Sequence, residues 1–472
     1  IIDWNRLQIG GSIDAVMPQD IPACWRADGW NVIVVEQGND FGQLYSALRS
    51  AYLGAVERLD RPTVILARTV MGFGVSFMEN DAGYHGKAAT VDLARRALRE
   101  IGVDDNLDAL LERRRSATTS PESLSHHASW PTLGPGDLDG GEPRVYPTGE
   151  RVDCRTAYGR ALEDLGRRNN GGGAAPKVLG VSCDLEGSEK MSWFRQACPE
   201  AFFECGIQEH HASAMSGRLA AEGFLVFFST FGVFAICEVY NQLRLNDQNG
   251  AGMKVVTTHV GLDVGQDGPT HQCIDYVGLP RNLFGFGIFV PADANQTDRI
   301  IRHIATRPGN AIVAMGRSKL PVIAGADGAP LYGADYHFQP GKADCLRNGS
   351  DATLVAMGPM VVRALAAAEK LGDEGIAVTV LNMASLRPLD EEAIAEAATC
   401  GPMVTIEDHH VDTGLGSLVA GVLAERAIGC PLLRLGVRRY GDSGPPDELY
   451  ASQGLAVSDI VQAVHRVRQR CR

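Results

Sequence analysis

Cys205-Gly206-Ile207-Gln208-Glu209-His210-His211, followed further on by Phe228-Ser229-Thr230-Phe231-Gly232-Val233-Phe234, sets one carboxylate just after an apolar segment and then a pair of aromatics at i, i+3. An acid so placed can meet the ring nitrogen of a heteroaromatic molecule while the two phenylalanines flank the ring, because aromatic faces stack on flat heterocycles. The same residues also read as the start of a solvated helix followed by two core aromatics.

Outward from this stretch, strand and helix patterns alternate. An apolar run at residues 31–35 ends in Glu36, Gly38-Asn39-Asp40 turns into a helical pattern over 45–59, and a second strand at 63–67 follows Arg61-Pro62. Strand, helix and strand in so short a span mark parallel α/β units. The alternation restarts with an amphipathic helix at 156–168 and a buried strand at 178–182. It continues through strands at 225–228, 255–259, 288–291 and 311–315, and again from 352 through 382 and from 404 to 467. Residues 116–150, rich in Ser, Pro, Gly and Asp, and residues 324–344 read as linkers. The fold class is α/β, three successive domains with mainly parallel sheets, at 1–115, 151–323 and 345–472.

Composition agrees, since 472 residues are too many for one hydrophobic core. A formal charge of −13 argues against a general nucleic-acid or anionic-membrane surface, so basic groups for an anionic substrate must be placed individually. The 11 cysteines are odd in number and scattered, with no Cys-x-x-Cys pair, which indicates neither a disulfide framework nor a zinc site and suits a reducing cytoplasm. No apolar run is long enough to span a bilayer, and no basic-then-apolar signal opens the chain, so a soluble protein is expected. Ile1-Ile2-Asp3-Trp4-Asn5 lacks a Met and reads like the tail of a buried strand, as if the chain began inside a domain.

The run Gly206 to His210 together with Thr230-Phe231-Gly232-Val233-Phe234 closely resembles the pyrimidine-binding module of transketolases, which are thiamine diphosphate enzymes. The resemblance extends over nearly all of the chain. It implies a partial diphosphate domain, a pyrimidine domain and a transketolase C-terminal domain in that order. It implies that Glu209 pairs with a pyrimidine ring nitrogen and favours the imino form of the exocyclic amine, with Phe231 and Phe234 stacking on the ring. Cys237 stands where relatives often carry an aromatic, which implies a roomier ring pocket.

A second constellation, Thr258-His259-Val260-Gly261-Leu262-Asp263-Val264-Gly265-Gln266-Asp267-Gly268-Pro269-Thr270-His271-Gln272, has the Gly and Pro of a tight loop and two histidines and an aspartate able to converge on hydroxyl groups. It resembles the transketolase motif Gly-x-Asp-Gly-Pro-Thr-His-Gln. The likeness implies that His271 and Asp267 bond the sugar near its reacting carbons and that His259 lies nearer its phosphate. Arg155, Ser188 and Arg317 match the family's phosphate clamp, a task suited to the fixed donors of guanidinium groups. Asp184 resembles a further substrate-proximal residue.

The metal half is incomplete. Asp3 to Ile9 resembles the closing part of the family's Mg2+ site, which gives Asn5 and the carbonyl of Leu7, a hard oxygen set suited to Mg2+. The Gly-Asp-Gly half is absent, and Gly10 replaces an Asp common in relatives. Thr69 to Asn80 followed by Tyr84-His85-Gly86-Lys87 resembles the segment that closes the diphosphate domain, so His85 matches a histidine near the diphosphate and reacting centre; by itself it reads as a surface turn residue. Leu381 to Asp390 and Val404 to His409 resemble the C-terminal module, and Glu407-Asp408-His409-His410 reads either as a metal cluster or as strand-end acids that cap turns.

What the resemblance implies is an enzyme with thiamine diphosphate and Mg2+ as cofactors, moving a two-carbon ketol unit between sugar phosphates, with Glu209, His271 and His85 at the reacting centre. It would work as a homodimer or as a heterotetramer with an N-terminal-half subunit. A 1-deoxyxylulose-5-phosphate synthase-like enzyme shares the Glu and the Gly-Pro-Thr-His loop, but His259 and His271 with Arg317 favour transketolase. A non-catalytic regulatory or assembly subunit is the rival of a different class.

Overall fold

A computed structural model describes residues 1–116, 138–171 and 175–470. The chain divides into two compact units, Ile1–His126 and His127–Arg472. Among the described residues no helix is long and apolar enough to cross a membrane.

In the first unit, Ile2–Asp3, Thr63–Ala67 and Asn31–Val35 form a three-stranded parallel sheet in that order. Among the described residues Ile2–Asp3 pairs with Thr63–Ala67, and Ile2 is half-buried. The helix runs Phe41–Tyr52 and not 45–59. It begins early because Asp40 caps it, accepting from the Gln43 N–H at 2.8 Å, and stops because Gly54 turns left-handed at φ +68°. Ala47 packs with Val35 and Ile65 into a small core.

Among its described residues the second unit holds two large sheets and a two-stranded antiparallel pair, Arg151–Asp153 with Lys319–Pro321. The larger has seven strands, in the order Ser385–Arg387, Phe286–Phe289, Asn310–Ala314, Lys254–Thr258, Leu225–Phe231, Val178–Ser182 and Phe202–Glu204. All pair in parallel except the edge strand Ser385–Arg387. Helix Cys154–Asn169 covers one face with Ala157, Tyr158, Ala161, Leu162 and Leu165, spaced at i, i+1, i+4, i+5 and i+8 as a core-facing stripe requires. The smaller sheet has five strands, ordered Asp344–Arg347, Val378–Asn382, Ala352–Ala356, Met403–His410 and Leu432–Val437. Only Asp344–Arg347 runs antiparallel within it.

The two segments read as linkers differ. Residues 117–137 of the first lie outside the described residues, but 138–150 is docked: Tyr146 N–H donates to Asn295 Oδ1 at 2.8 Å and Arg144 O accepts from Arg299 Nη1 at 2.7 Å. In the second, Tyr332 is fully buried and its hydroxyl meets Asn382 Nδ2 at 2.7 Å, while Phe338 packs edge-on against Phe289 at 5.3 Å. Aromatic burial turns this connection into core.

Glu407, Asp408 and His409 cap turns. Glu407 accepts from the Leu415 and Gly416 N–H groups at 2.6 and 2.8 Å, at the start of helix Leu415–Glu425, and burial pushes its carboxyl up to about 8. His409 Nε2 accepts from the Val277 and Gly278 N–H groups at 3.1 and 3.2 Å, so it must stay unprotonated there. Burial holds His409 down to about 4, from 6.5. Between those values the unfolded chain takes up a proton that the folded chain refuses, so this contribution to stability is complete above about 6.5 and lost as the pH falls toward 4. Glu407, raised by burial, pulls the other way over the same range, so the test is the difference: from ~pH 7 to ~pH 5 the Tm of the unchanged chain should drop more, or rise less, than that of His409→Gln, whose amide oxygen accepts the same bonds without titrating. Equal changes in scanning calorimetry would rule His409 out as a source of acid lability.

Candidate active site

Gly206, left-handed at φ +65°, turns the chain into helix Glu209–Ala221, so Glu209 stands at its first residue. A helix N-terminus favours the ionised carboxylate. Burial opposes it and wins: Glu209 is 5% exposed, and its pKa is raised chiefly by desolvation, against its own backbone N–H and with help from the nearby charge of Glu238. No other hydrogen bond reaches this carboxyl among the described residues. The helix is set deep by small residues, Ala212, Ser213, Ser216, Gly217 and Ala220. At Gly217 a Cβ would lie 2.0 Å from Asn246 Oδ1, and Asn246 Nδ2 donates to Ser213 O at 2.9 Å.

Phe231 ends its strand, and Phe234 sits on a π-helical turn, Val233–Glu238, a rare form that recurs at functional sites. Their rings are nearly parallel, 11° apart in plane, with centroids 6.2 Å apart. Together they make an aromatic wall of the site. Phe231 is buried behind the His259 ring at 3.8 Å, and half-buried Phe234 offers the open surface.

His259 follows strand Lys254–Thr258 in a left-handed conformation, φ +57°, which swings its ring back over Phe231. Its Nδ1 lies 2.8 Å from Thr258 Oγ1 and its Nε2 3.4 Å from Arg155 Nη1. Burial, then the charges of Arg155, Arg317, His271 and Lys190, push His259 down to about 3, so it is neutral. Arg155 donates from Nη1 to Ser188 O at 3.0 Å and from Nη2 to Arg317 O at 2.9 Å, and pairs with Asp153 at 3.3 Å. Arg317 donates to Val264 O at 2.9 Å and to Asp267 at 3.3 Å. His271 stands edge-on to Phe234 at 5.8 Å and to Phe231 at 6.3 Å.

Arg155, Ser188, His259, Asp267, His271 and Arg317 therefore come together with the aromatic wall. Ser188 meets Arg155 through its carbonyl and not its hydroxyl. Asp184 is exposed and strained at φ +60°, held by its N–H to Glu204 Oε1 at 2.6 Å. Asn5, Leu7 and His85 belong to the first unit. There Asn5 Oδ1 accepts from the Leu7 N–H at 2.9 Å across a left-handed Arg6, and His85 is exposed after the short turn Ala82–Tyr84.

Two residues escaped the sequence. Glu189 is fully buried, accepts from Ser182 Oγ at 3.1 Å, leaves Oε1 without a partner, and is pushed up to about 8 by burial. Its polar run, Glu186 to Lys190, gave no sign of burial. Lys190, left-handed at φ +66°, adds positive charge facing His259.

Comparison with known proteins agrees with this architecture. The family models for the transketolase thiamine diphosphate binding domain, pyrimidine binding domain and C-terminal domain match residues 1–114, 150–322 and 341–460. The chain belongs to the transketolase family. A putative transketolase C-terminal section of Methanocaldococcus jannaschii is 33% identical over 322 residues, 68% of this chain and 98% of that protein. Transketolase-like protein 2 of Mus musculus is 28% identical over 444 residues, 93% of this chain; the match spans 66% of the mouse protein, just under two thirds. A solved structure described as a split gene transketolase, inactive beta4 tetramer, is 37% identical with a TM-score of 0.60, covering 67% of this chain and 99% of that one.

Gly217→Ala should force the buried Asn246 side chain aside and tilt the helix that carries Glu209, at about 1–3 kcal/mol of overpacking. A urea midpoint equal to that of the unchanged chain would show that the contact yields freely.

Proposed function

We propose that this chain supplies the pyrimidine-ring site and the sugar-phosphate clamp of a ketol-transferring transketolase, which moves a two-carbon unit from a phosphorylated ketose to an aldose phosphate. The observation that carries this is a buried, otherwise unbonded carboxyl at Glu209 in the module that also gathers the aromatic wall and the Arg155–His259–Arg317 cluster. A carboxyl held toward its protonated state suits a ring nitrogen, and the open surface of Phe234 suits the ring face, so the residues fit thiamine diphosphate. When bound, that cofactor supplies the nucleophilic carbon that carries the two-carbon unit.

In this reading Glu209 shares its proton with the ring nitrogen. Neutral His259 and the two guanidinium groups form an anion pocket of fixed donors for the sugar phosphate, with Lys190 adding field. His271 and Asp267 bond the sugar hydroxyls near the reacting carbons, with Asp184 near the substrate. Asn5 Oδ1 and the Leu7 carbonyl would offer hard oxygens to Mg2+, and His85 would lie near the diphosphate.

Mg2+ prefers octahedral oxygen coordination, of which these two oxygens would supply a part. Assembly has support in the first unit. Phe41, Tyr45, Leu48 and Tyr52 lie at i, i+4, i+7 and i+11 of one helix and are all exposed, an apolar stripe that a second chain would cover. The related split gene transketolase is itself described as a tetramer.

Glu209→Gln should leave the fold intact and lower ketol transfer by the assembled enzyme ~10²–10⁴-fold, because an amide cannot exchange a proton with the ring. Near-normal turnover with cofactor bound would reject Glu209 as that group. Arg317→Ala should raise KM for a phosphorylated sugar by about 10- to 100-fold and hardly change it for an unphosphorylated one, since a charge-assisted contact is worth ~1.5–3 kcal/mol. Equal effects on both sugars would place Arg317 away from the phosphate.

A further inference from the structure

Cys237 lies on the π-helical turn that carries Phe234, and Cys273 and Asp275 follow His271 in the neighbouring loop. They are 36 and 38 residues apart in sequence, yet their ligand atoms converge. Cys237 Sγ is 3.9 Å from Cys273 Sγ and 3.3 Å from Asp275 Oδ1, and Cys273 Sγ is 3.6 Å from the same oxygen. Cys273 is buried, while Cys237 and Asp275 are half-buried.

A tetrahedral zinc ion with bonds of about 2.3 Å to sulfur and about 2.0 Å to oxygen places two sulfurs ~3.8 Å apart and each sulfur ~3.5 Å from the oxygen. The observed triangle is that face of the tetrahedron within a few tenths of an ångström. The absence of any Cys-x-x-Cys pair had argued against zinc, but only local spacing was visible there; here the loop folds one thiol onto another from a different element.

We propose that Cys237, Cys273 and Asp275 form a binding site for one thiophilic divalent cation, of which zinc is the type, with a fourth coordination position open to water or an exogenous ligand. Both thiols enter as thiolates, releasing two protons to solvent. The set is soft, two sulfurs and one oxygen, and does not suit Mg2+. Occupancy ties the Val233–Glu238 turn to the loop after His271. The close approach at Gly232, where a Cβ would meet Cys273 Cβ at 2.8 Å, shows that these segments are already in contact. The site stands on its own geometry, whether or not the ketol-transfer reading holds.

The test uses the full chain, reduced and stripped with a chelator, titrated with Co2+ and then Zn2+ and followed by thiolate-to-cobalt absorption, metal content and Tm. One equivalent should bind with a thiolate charge-transfer band and raise Tm. Cys237→Ala should abolish the band and weaken binding at least ~100-fold, and Asp275→Asn should weaken it at least ~10-fold, as loss of a ligand does no less than loss of its supporting partner. Cys345→Ala, at an exposed cysteine, should behave as the unchanged chain. No thiolate band in the unchanged chain, or a band equally strong in Cys237→Ala, overturns the site. Because Cys237 and Asp275 are only half-buried, neither result depends on a variant that empties the core.

Discussion

The buried carboxylate of Asp408 joins the two large sheets of the second unit, and the geometry of the candidate site hangs on it. It accepts from the Leu262 and Asp263 N–H groups at 2.8 and 3.2 Å and from the Tyr450 hydroxyl at 2.7 Å. Leu262–Asp267 is the turn between His259 and His271, so an acid from the smaller sheet anchors the loop of the larger one. Gly261 must lack a side chain, since a Cβ there would lie 2.2 Å from that carboxylate, and its φ of +72° is one that glycine adopts without strain. Asp263, held in turn, accepts from the Ser318 N–H at 2.7 Å and so positions the segment after Arg317. The module that carries the smaller sheet thus helps to decide where Arg317 and His259 stand.

Desolvation then sets the charges that this frame presents. It acts in opposite directions on acids and bases, raising Glu209 and Glu189 and lowering His259. The result is a site in which Glu209 and Glu189 lean toward their protonated forms and His259 is neutral beside the guanidinium groups of Arg155 and Arg317. Guanidinium groups are thus gathered in one place in a chain whose overall charge is −13.

The sequence by itself determined the parallel α/β elements, because their periodicity and turn residues act locally. Asn31–Val35 and Thr63–Ala67 stand where the apolar runs put them, and the other strands shift by only a few residues. It also determined the family, since the runs around Glu209, Phe231 and the loop to Gln272 are contiguous motifs; His259 and Asp267 of that loop lie beside Arg155 and Arg317.

Tertiary structure alone decided whatever depends on residues distant in the chain. Glu189 is buried although the run around it is polar, and residues 324–344 read as a linker yet bury Tyr332. Glu407 to His409 looked able to bind a metal and cap turns, whereas Cys237, Cys273 and Asp275 looked unrelated and meet. The physical reason is common to all of these: burial and ligand geometry are set by which elements pack together, and a linear pattern records only which neighbours share a turn or a strand.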